Sequence, residues 1–326
     1  MHAALPLEHL SRRQFVGYGA ASVVLTSAAT KAQNAPPGVP LPPSPTQGDF
    51  GTVSEKPLTI NVQINGKGPF RFVVDTGADR TVVAEDIATA LGLSRGGPVM
   101  VEGVVRTVPA ETVQLDDITF GPITRENLRV PLLPRSQLLV DGYLGLDAID
   151  GYRVTLDFKN RALVVSEPRH ALLLNWAPPN EALVPVSGHL GHLRAFNCLV
   201  DGVRATAFVD TGAEVSVGNS SLYDALVQRD PSHVTKDTLP LTGVTGGIIN
   251  GRLTTIRQLR LSALTFEQCE VAIANLQIFD LWGLARTPSL LIGMNWLRQF
   301  SYVSIDYARK ELRFDLAKLA AMAHRA

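Results

Sequence analysis

Charge of either sign is scarce in this sequence. Asp, Glu, Lys and Arg make up 18% of its 326 residues, whereas about 25% is typical of soluble domains. Thirty basic side chains balance thirty acidic ones, so the chain lacks the excess positive charge with which proteins bind the backbone of nucleic acids. Because apolar residues make up 45% of the chain, disorder along its whole length is excluded and a large core is expected.

Cysteine is also nearly absent. Only Cys198 and Cys269 occur, too few for a scaffold with several disulfides or a zinc site with four thiolates. They form at most one disulfide, and a pair of buried free thiols is the alternative. His189 and His192 have a His-x-x-His spacing but no adjacent acid or third ligand. We therefore expect no metal and no cofactor.

The sequence has no apolar run long enough to span a bilayer, which takes about 20 residues. The apolar segment from Phe15 to Ala29 is shorter and contains Gly, Ser and Thr, so a stable membrane anchor is not expected. Because the letters SRRQFV at 11–16 lead into it, residues 1–32 resemble a twin-arginine export signal that is cleaved after Ala32. That resemblance implies a periplasmic or secreted protein. A short buried helix that begins with a chance pair of arginines is the alternative.

Residues 33–51 are rich in proline and include the letters PPGVPLPPSP at 36–45. Proline cannot donate the backbone hydrogen bonds that a helix or an interior strand requires. We expect this segment to be an extended polyproline spacer that acts as a tether.

The rest of the chain repeats itself. The letters FVVDTGAD at 72–79 recur as AFVDTGAE at 207–214, an offset of 135 residues. Two later pairs of segments match in the same order: GYLGLD (142–147) with LLIGMN (290–295), and TLDFKNR (155–161) with SIDYARK (304–310). The chain therefore holds two versions of one structural unit.

Each copy consists of short β-branched segments separated by Gly and Pro, a pattern typical of strands. We predict an all-β fold of two tandem lobes with short helices. The first lobe is expected at residues 52–170 and the second at 181–317, with 318–326 as a C-terminal tail. The segment 172–185, which contains two consecutive prolines, is the expected boundary between them.

The span from Leu58 to Asp315 resembles the retropepsin-like branch of the aspartic proteases. The letters VDTGADRTVV at 74–83 are very similar to the retroviral active-site segment, and LIGMNWL at 291–297 is similar to the later glycine element of that family. Retroviral members pair two identical chains, whereas pepsins carry two lobes in one chain. The resemblance implies two β-barrel lobes related by a pseudo-twofold axis, a single-chain pseudo-dimer that acts as a monomer.

Asp75 and Asp210, one from each copy, are the candidate catalytic residues. Peptide hydrolysis needs a base that takes a proton from water and an acid that gives one to the carbonyl oxygen. Two carboxyl groups held about 3 Å apart cannot both ionise, so they share one proton and supply both roles. The two pKa values then belong to the pair, and neither aspartate is assigned as the acid or the base.

The residues after each aspartate are expected to support it. Thr76 and Thr211 would brace the two loops across the pseudo-twofold axis. Gly77 and Gly212 would allow close approach of the backbone, where a β-carbon would obstruct.

Ala78 and Ala213 stand where pepsin-like lobes usually have Ser or Thr. Alanine has no hydroxyl that could bind the carboxylate and favour its charged form. We therefore expect the pair to ionise at higher pH than in a pepsin, with an optimum from mildly acidic to near-neutral pH.

Two hairpins are candidates for flaps that cover the cleft and hold a peptide in an extended conformation. The first lies around Gly103 and Val104, and the second contains Gly243, Gly246 and Gly247. Because the second is richer in glycine, we expect it to be the more mobile flap. An ordinary hairpin is the alternative for both.

One feature of the retroviral enzymes is not found at the matching positions. There, an arginine in the later glycine element pairs with the acid two residues after the active-site glycine. Here the acids are Asp79 and Glu214, but Leu146 and Met294 stand in place of the arginine. We expect the ion pair to be missing from both copies, a loss that the covalent link between lobes makes tolerable.

The leading hypothesis is an exported aspartic endopeptidase that acts on extended polypeptide. A second hypothesis is a catalytically silent peptide-binding module whose aspartates are too far apart to activate water. A third is that each copy pairs with its equivalent in another chain, so that only dimers are active.

Overall fold

The computed structural model describes residues 57–168, 181–189, 192–262 and 264–316. The predicted export signal, spacer and C-terminal tail lie outside the described residues, as do the side chains of His189 and His192. Within the described ranges, no helix is long and apolar enough to cross a membrane.

The first half of the described chain contains ten strands and three short helices. In chain order they are β1 (Ile60–Ile64), β2 (Lys67–Val74), β3 (Val82–Ala84), α1 (Glu85–Leu91), β4 (Val99–Glu102), β5 (Thr107–Ala110), β6 (Thr112–Phe120), β7 (Ile123–Leu133), α2 (Arg135–Leu138), β8 (Gly142–Leu144), α3 (Leu146–Ile149), β9 (Arg153–Asp157) and β10 (Ala162–Ser166).

The second half repeats most of this order. Its elements are β11 (Glu181–Pro185), β12 (Ser187–His189), β13 (His192–Val200), β14 (Val203–Val209), β15 (Val217–Gly218), α4 (Ser220–Arg229), a 3-10 helix (Pro231–His233), β16 (Thr238–Thr242), β17 (Ile248–Leu261), β18 (Leu264–Ile273), α5 (Gln277–Leu281), β19 (Ser289–Ile292), α6 (Met294–Leu297), β20 (Tyr302–Asp306) and β21 (Glu311–Asp315).

Each half builds a six-stranded barrel with the same strand order. The first barrel runs β1-β2-β8-β3-β7-β6 and closes through the pairing of β1 with β6. The second runs β13-β14-β19-β15-β18-β17 and closes through the pairing of β13 with β17. The predicted fold class, all-β with two tandem barrels and short helices, is confirmed.

The barrels form because their strands alternate between the interior and the surface. In β6, for example, Val113 and Leu115 are buried, whereas Gln114 and Asp116 are exposed. Side chains on a strand point to opposite faces in turn, so the apolar positions of all six strands meet inside the barrel and form its core.

A third sheet joins the two halves. Its order is β10-β9-β20-β21-β11. Strands β9 and β10 come from the first half, and β11, β20 and β21 come from the second. Thr155 and Ser304 face each other where β9 pairs with β20, with their hydroxyl oxygens 3.1 Å apart. Beside them, Arg153 forms a 2.7 Å ion pair with the buried carboxylate of Asp306. The halves are thus held by a shared sheet as well as by the covalent chain.

Candidate active site

The two Asp-Thr-Gly loops lie at the ends of equivalent strands. The first loop follows β2 and the second follows β14. The backbone N–H of Asp75 donates to Leu144 O in the neighbouring parallel strand, and the N–H of Asp210 donates to Ile292 O, both at 2.9 Å. Each loop therefore begins at a point that is fixed by the barrel beneath it.

The threonines of the two loops bind across the boundary between the halves. Thr76 Oγ1 donates to Val209 O at 2.9 Å, and Thr211 Oγ1 donates to Val74 O at 2.6 Å. In return, the Thr211 N–H donates to Thr76 Oγ1 and the Thr76 N–H donates to Thr211 Oγ1, at 3.1 and 3.2 Å. We call these four hydrogen bonds the threonine grip. Each half thus positions the active-site loop of the other.

The grip brings Asp75 and Asp210 together. Both carboxyl groups are buried, and each has one oxygen, Oδ1, that accepts a 2.8 Å hydrogen bond from the N–H of Gly77 or Gly212 in its own loop. A β-carbon on Gly77 would lie 2.6 Å from Oδ2 of Asp210, and one on Gly212 would meet the carboxyl of Asp75. Any side chain larger than that of glycine at position 77 or 212 would therefore overlap the carboxyl group of the opposite aspartate.

The local electrostatics favour one proton on this pair. Burial raises the pKa of Asp75 well above its ordinary value, and the neighbouring Asp210 raises that pKa further through its charge and a side-chain hydrogen bond. The N–H groups of Gly77 and Ala78 act in the opposite direction and lower it. Ala78 and Ala213 are both buried, and neither side chain offers a donor to a carboxylate.

Two hairpins meet tip to tip between the halves. The first hairpin, β4–β5, forms a separate two-stranded sheet, whereas the second, β16–β17, continues into the second barrel. Arg106 Nε donates to Thr245 O and Thr245 Oγ1 donates back to Arg106 O, both at 2.8 Å. We call this reciprocal pair the hairpin latch.

The glycines of the predicted flaps lie at this contact. A β-carbon on Gly103 would overlap the side chain of Thr245, and one on Gly243 would lie 2.9 Å from Val104 Cγ2. Gly246 and Gly247 have φ angles of 77° and 85° and pack against Arg106. The two hairpin tips therefore pack closely, because glycines lie where their backbones cross.

The first hairpin is also bound directly to the second half. Val104 is buried in an apolar cluster with Phe208 and Ala213, which flank the Asp210 loop. The N–H of Gln277 donates to Val104 O at 2.9 Å, and Gln277 Nε2 donates to Thr107 Oγ1 at 2.7 Å. The hairpin of one half thus rests on the lobe that carries the other aspartate.

A family model described as aspartyl protease matches residues 60–148 and 196–296. The match covers more than half of the chain and contains both Asp-Thr-Gly loops. The chain belongs to the aspartyl protease family. In this aspartyl protease family member, each matched segment holds most of one barrel.

Two individual relatives are more distant. The chain is 30% identical over 121 residues to DNA damage-inducible protein 1 of Neurospora crassa, an alignment that covers 36% of this chain and 26% of the relative. The chain thus spans about a quarter of the length of that curated relative. A retropepsin-like aspartic protease from Rickettsia conorii, solved as a crystal structure, is 16% identical; the superposition covers 44% of this chain and 96% of that one, with a TM-score of 0.28.

A further pair of supports, which the sequence analysis missed, underlies the loops of this aspartyl protease family member. Asp147 Oδ1 accepts hydrogen bonds from the N–H and Oγ1 of Thr81, at 2.8 and 2.7 Å. In the second half, Asn295 Oδ1 accepts from the N–H and Oγ of Ser216, at 2.9 and 2.8 Å. The matched LGLD and IGMN segments were the available signal, since Asp and Asn occupy the same position in each copy.

The expectation that both copies lack the acid–arginine ion pair is wrong for the second copy. Glu214 binds Arg298 through two hydrogen bonds of 2.6 and 3.0 Å. Arg298 lies just after α6, four residues beyond Met294. The sequence analysis compared only Met294 with the arginine of the retroviral enzymes, so it overlooked Arg298. In the first copy, burial raises the pKa of Glu102 in β4, and the charge of Asp79 raises it further.

The two cysteines are free thiols. Cys198 and Cys269 are both buried, and burial raises the pKa of each thiol to about 12. Of the two alternatives that the sequence left open, the structure has the free thiols, which burial keeps protonated and unreactive. Among the residues that the structure describes, no group of three or more His, Cys, Asp or Glu could hold a metal ion.

Proposed function

We propose that this protein is an aspartic endopeptidase in which Asp75 and Asp210 activate a water molecule for peptide hydrolysis. One observation carries the proposal: two buried carboxyl groups, each from a different half, meet at the threonine grip. The raised pKa of Asp75 supports a pair that holds one proton at moderately acidic pH. Such a pair supplies a base and an acid at the same time.

The proposed reaction has two stages. In the first, the ionised carboxylate takes a proton from water, the water oxygen bonds to the peptide carbonyl carbon, and the protonated carboxyl gives its proton to the carbonyl oxygen. In the second, the tetrahedral intermediate collapses: the C–N bond breaks, a carboxyl proton passes to the leaving nitrogen, and one hydroxyl proton returns to the pair. The pair ends with the single proton with which it began, so no cofactor is consumed.

The two hairpins support an extended polypeptide as the substrate. A segment that passes between the hairpin tips and the aspartates has to run as a single strand, since a folded domain does not fit beneath an interlocked cover. Because both aspartates belong to one chain, we propose that the monomer is the active species. Balanced charge makes nucleic acid an unsuitable partner.

The pH optimum follows from the surroundings of the pair. Burial and the second carboxyl raise the pKa of Asp75, and neither Ala78 nor Ala213 provides a hydroxyl that would counter this shift. We therefore propose an optimum between mildly acidic and near-neutral pH. A bell-shaped profile centred below about pH 3 would contradict this assignment.

We also propose that the protein is exported through the twin-arginine route and acts in the periplasm or outside the cell. The support is the SRRQFV pattern and the short apolar segment behind it. Substitution of Arg12 and Arg13 by lysine should retain the full-length precursor in the cytoplasm, which fractionation with an antibody would detect. Unchanged export of the doubly substituted chain would refute the route.

Hydrolysis of unfolded casein by the full-length chain tests the proposed activity. We expect peptide release across the mildly acidic range, inhibition by pepstatin, and loss of activity in Asp210→Asn. Asp224→Asn is the matched control, because Asp224 is an exposed carboxylate on α4 and should leave hydrolysis unchanged.

The assay also distinguishes the silent peptide-binding module. If casein peptides bind to the chain but remain intact at every pH tested, the chain is a binding module and the enzyme assignment is wrong. Cleavage that persists in Asp210→Asn would instead point to a contaminating protease or another site.

A further inference from the structure

An arginine of the second half lies near the Asp210 loop and has no role in the proposed reaction. Arg194 belongs to β13 and is half-buried. Within the described ranges, its Nε is fully buried without a hydrogen-bond partner, and no acid forms an ion pair with its guanidinium. Buried polar groups in native proteins are nearly always hydrogen-bonded, so an exception calls for an explanation.

The neighbouring strand β14 shows which way this side of the barrel is turned. Its residues Ala207 and Val209 are part of the main apolar core. Phe208, between them, packs instead in the smaller apolar cluster that contains Val104 of the first hairpin. Because side chains point to opposite faces of a strand in turn, Phe208 and Asp210 lie on the same face, about 7 Å apart along the chain. That face borders the space between the hairpin tips and the aspartates.

Arg194 lies on the same face as Phe208. The two residues are partners in the pairing of β13 with β14. The neighbours of Arg194, Leu193 and Ala195, belong to the main core on the other face. The guanidinium carbon of Arg194 lies 5.4 Å from the centroid of the Phe208 ring, and the Trp282 ring lies 4.5 Å from the same ring by centroids. We call Arg194, Phe208 and Trp282 the arginine wall.

The wall holds a guanidinium that is ready to bind an anion. Attraction to the aromatic ring keeps the cation in place, which lowers the entropy cost of binding a ligand. The Nη groups of Arg194, unlike Nε, are not fully buried, so a ligand can reach them. A guanidinium binds a carboxylate through two parallel N–H bonds. Such a pair would give this cation the partner that it lacks among the described residues.

The equivalent position in the first half holds no cation. The offset of 135 residues places Thr59 at the position of Arg194 and Val73 at the position of Phe208. Val73 packs in the main core, and Thr59 carries no charge. The two aspartates are therefore flanked by unlike walls, uncharged in the first half and cationic in the second. Any selection that Arg194 makes acts on one side of the scissile bond.

We propose that the arginine wall selects polypeptide substrates that carry Asp or Glu beside the scissile bond, on the side bound by the second half. An extended peptide advances about 3.3 Å per residue, so a side chain one to three residues from the scissile bond reaches a wall about 7 Å from Asp210. The carboxylate binds the guanidinium, and the two rings pack against the aliphatic part of the side chain. The proposal rests on the proposed function, because it names the substrate class of the same site.

Cleavage sites in dephosphorylated casein, identified by mass spectrometry, would locate the selected position. We expect Asp and Glu to be enriched at one position, on one side of the cleaved bond. Two synthetic peptides that differ only by Glu or Gln at that position then measure the selectivity. At pH 6, where Glu is ionised, kcat/KM should be about tenfold higher for the Glu peptide.

Arg194→Gln should remove this preference, because the glutamine side chain carries no charge. Its kcat/KM for the Gln peptide should stay close to that of the wild type, so the loss is confined to the Glu peptide. Arg194→Glu should reverse the selection towards a peptide with Lys at that position, and Arg194→Lys should retain part of the wild-type preference. Arg204→Gln is the matched control, since Arg204 is an exposed arginine of β14, and its preference should equal that of the wild type.

Two results would overturn the proposal. One is equal kcat/KM for the Glu and Gln peptides in the wild-type chain. The other is a ratio that is the same in the wild type and in Arg194→Gln. An arginine with a merely structural role would lower Tm and kcat/KM for both peptides alike on substitution, and that outcome also contradicts substrate selection.

Peptide binding keeps this inference separate from the proposed function. Fluorescence anisotropy of labelled peptides that carry Glu or Gln at successive positions gives Kd values for Asp210→Asn, without a known cleavage site. The Glu peptide should bind about tenfold more tightly at one position, and adding Arg194→Gln should remove the difference. If the wild-type chain hydrolyses no peptide but shows this difference, the endopeptidase is wrong and the arginine wall serves a binding module. If hydrolysis occurs without any such difference, only the role of Arg194 is wrong.

Discussion

At the scale of single residues, the site depends on how closely two carboxyl groups can be held. Gly77 and Gly212 leave the space that the opposite carboxyl fills, and their N–H groups hold one oxygen of each carboxyl in place. The remaining oxygens face a buried, poorly solvated region, where a second negative charge is unfavourable. The geometry of these two glycines therefore determines the chemistry of the two aspartates.

Gly212→Ala should abolish most of the activity, because its β-carbon would overlap the carboxyl of Asp75. We expect a loss of about a hundredfold or more in kcat/KM and a destabilisation of about 1–3 kcal/mol from overpacking. Gly97→Ala is the control, since its β-carbon would meet only Arg129 Nη2 at an ordinary 3.5 Å. Equal activities of the two variants would show that close approach at Gly212 is unimportant.

The raised pKa of Asp75 predicts how stability depends on pH. The folded state binds this proton more tightly than the unfolded state, so the stabilisation is fully present below the ordinary pKa of aspartate. It is lost as pH rises through the raised pKa. Thermal unfolding of wild type should therefore show Tm falling over that window, and Asp75→Asn should flatten the fall. Parallel Tm profiles for wild type, Asp75→Asn and the surface control Asp224→Asn would refute the shift.

At the scale of secondary structure elements, the two hairpins differ in how they are attached. Among the residues that the structure describes, strands β4 and β5 pair only with each other, and one isolated bridge between Arg95 and Val113 links the preceding segment to the barrel. Strand β17 runs for fourteen residues into the second barrel. Sheet pairing alone would favour movement of the first hairpin, but the buried Val104 and two hydrogen bonds of Gln277 bind that hairpin to the second half. Glycine content favours movement of the second hairpin. The greater mobility of the second hairpin remains a prediction.

Arg106→Ala should weaken the hairpin latch, because it removes the bond from Nε to Thr245 O. A hydrogen bond from a charged group contributes about 1.5–3 kcal/mol, so we expect KM for a casein peptide to rise about tenfold or more with little change in kcat. Steady-state kinetics would measure this. Arg260→Ala, which removes an exposed arginine of β17, should leave KM unchanged. If both variants match the wild type, the latch does not hold the substrate.

At the scale of the whole molecule, neither half can form the site alone. The threonine grip, the shared sheet β10-β9-β20-β21-β11 and the hairpin latch each take groups from both halves. The apolar core also continues from one half into the other. A separated half would lose all of these contacts together, so the two lobes form a single structural unit.

The sequence predicted those parts of the molecule that the repeat contains. The Asp-Thr-Gly loops and their threonines lie in segments that occur twice, and the two hairpins were expected from their position after those loops. It could not predict Arg298 as the partner of Glu214, because Arg298 lies just after α6, beyond the matched motif, and the equivalent position of the first copy holds the acidic Asp150. It could not predict the hairpin latch either, since that contact depends on how one half folds against the other.

The most direct test of the shared site is casein hydrolysis by Asp75→Asn, by Asp210→Asn and by a mixture of the two chains. If one monomer builds one site, each variant should lose about a thousandfold or more of the activity, and mixing them should restore none. If equivalent copies paired between chains, each single variant would retain one intact pair and substantial activity. Retained activity in either variant, or recovery on mixing, would contradict a site built from both halves of one chain.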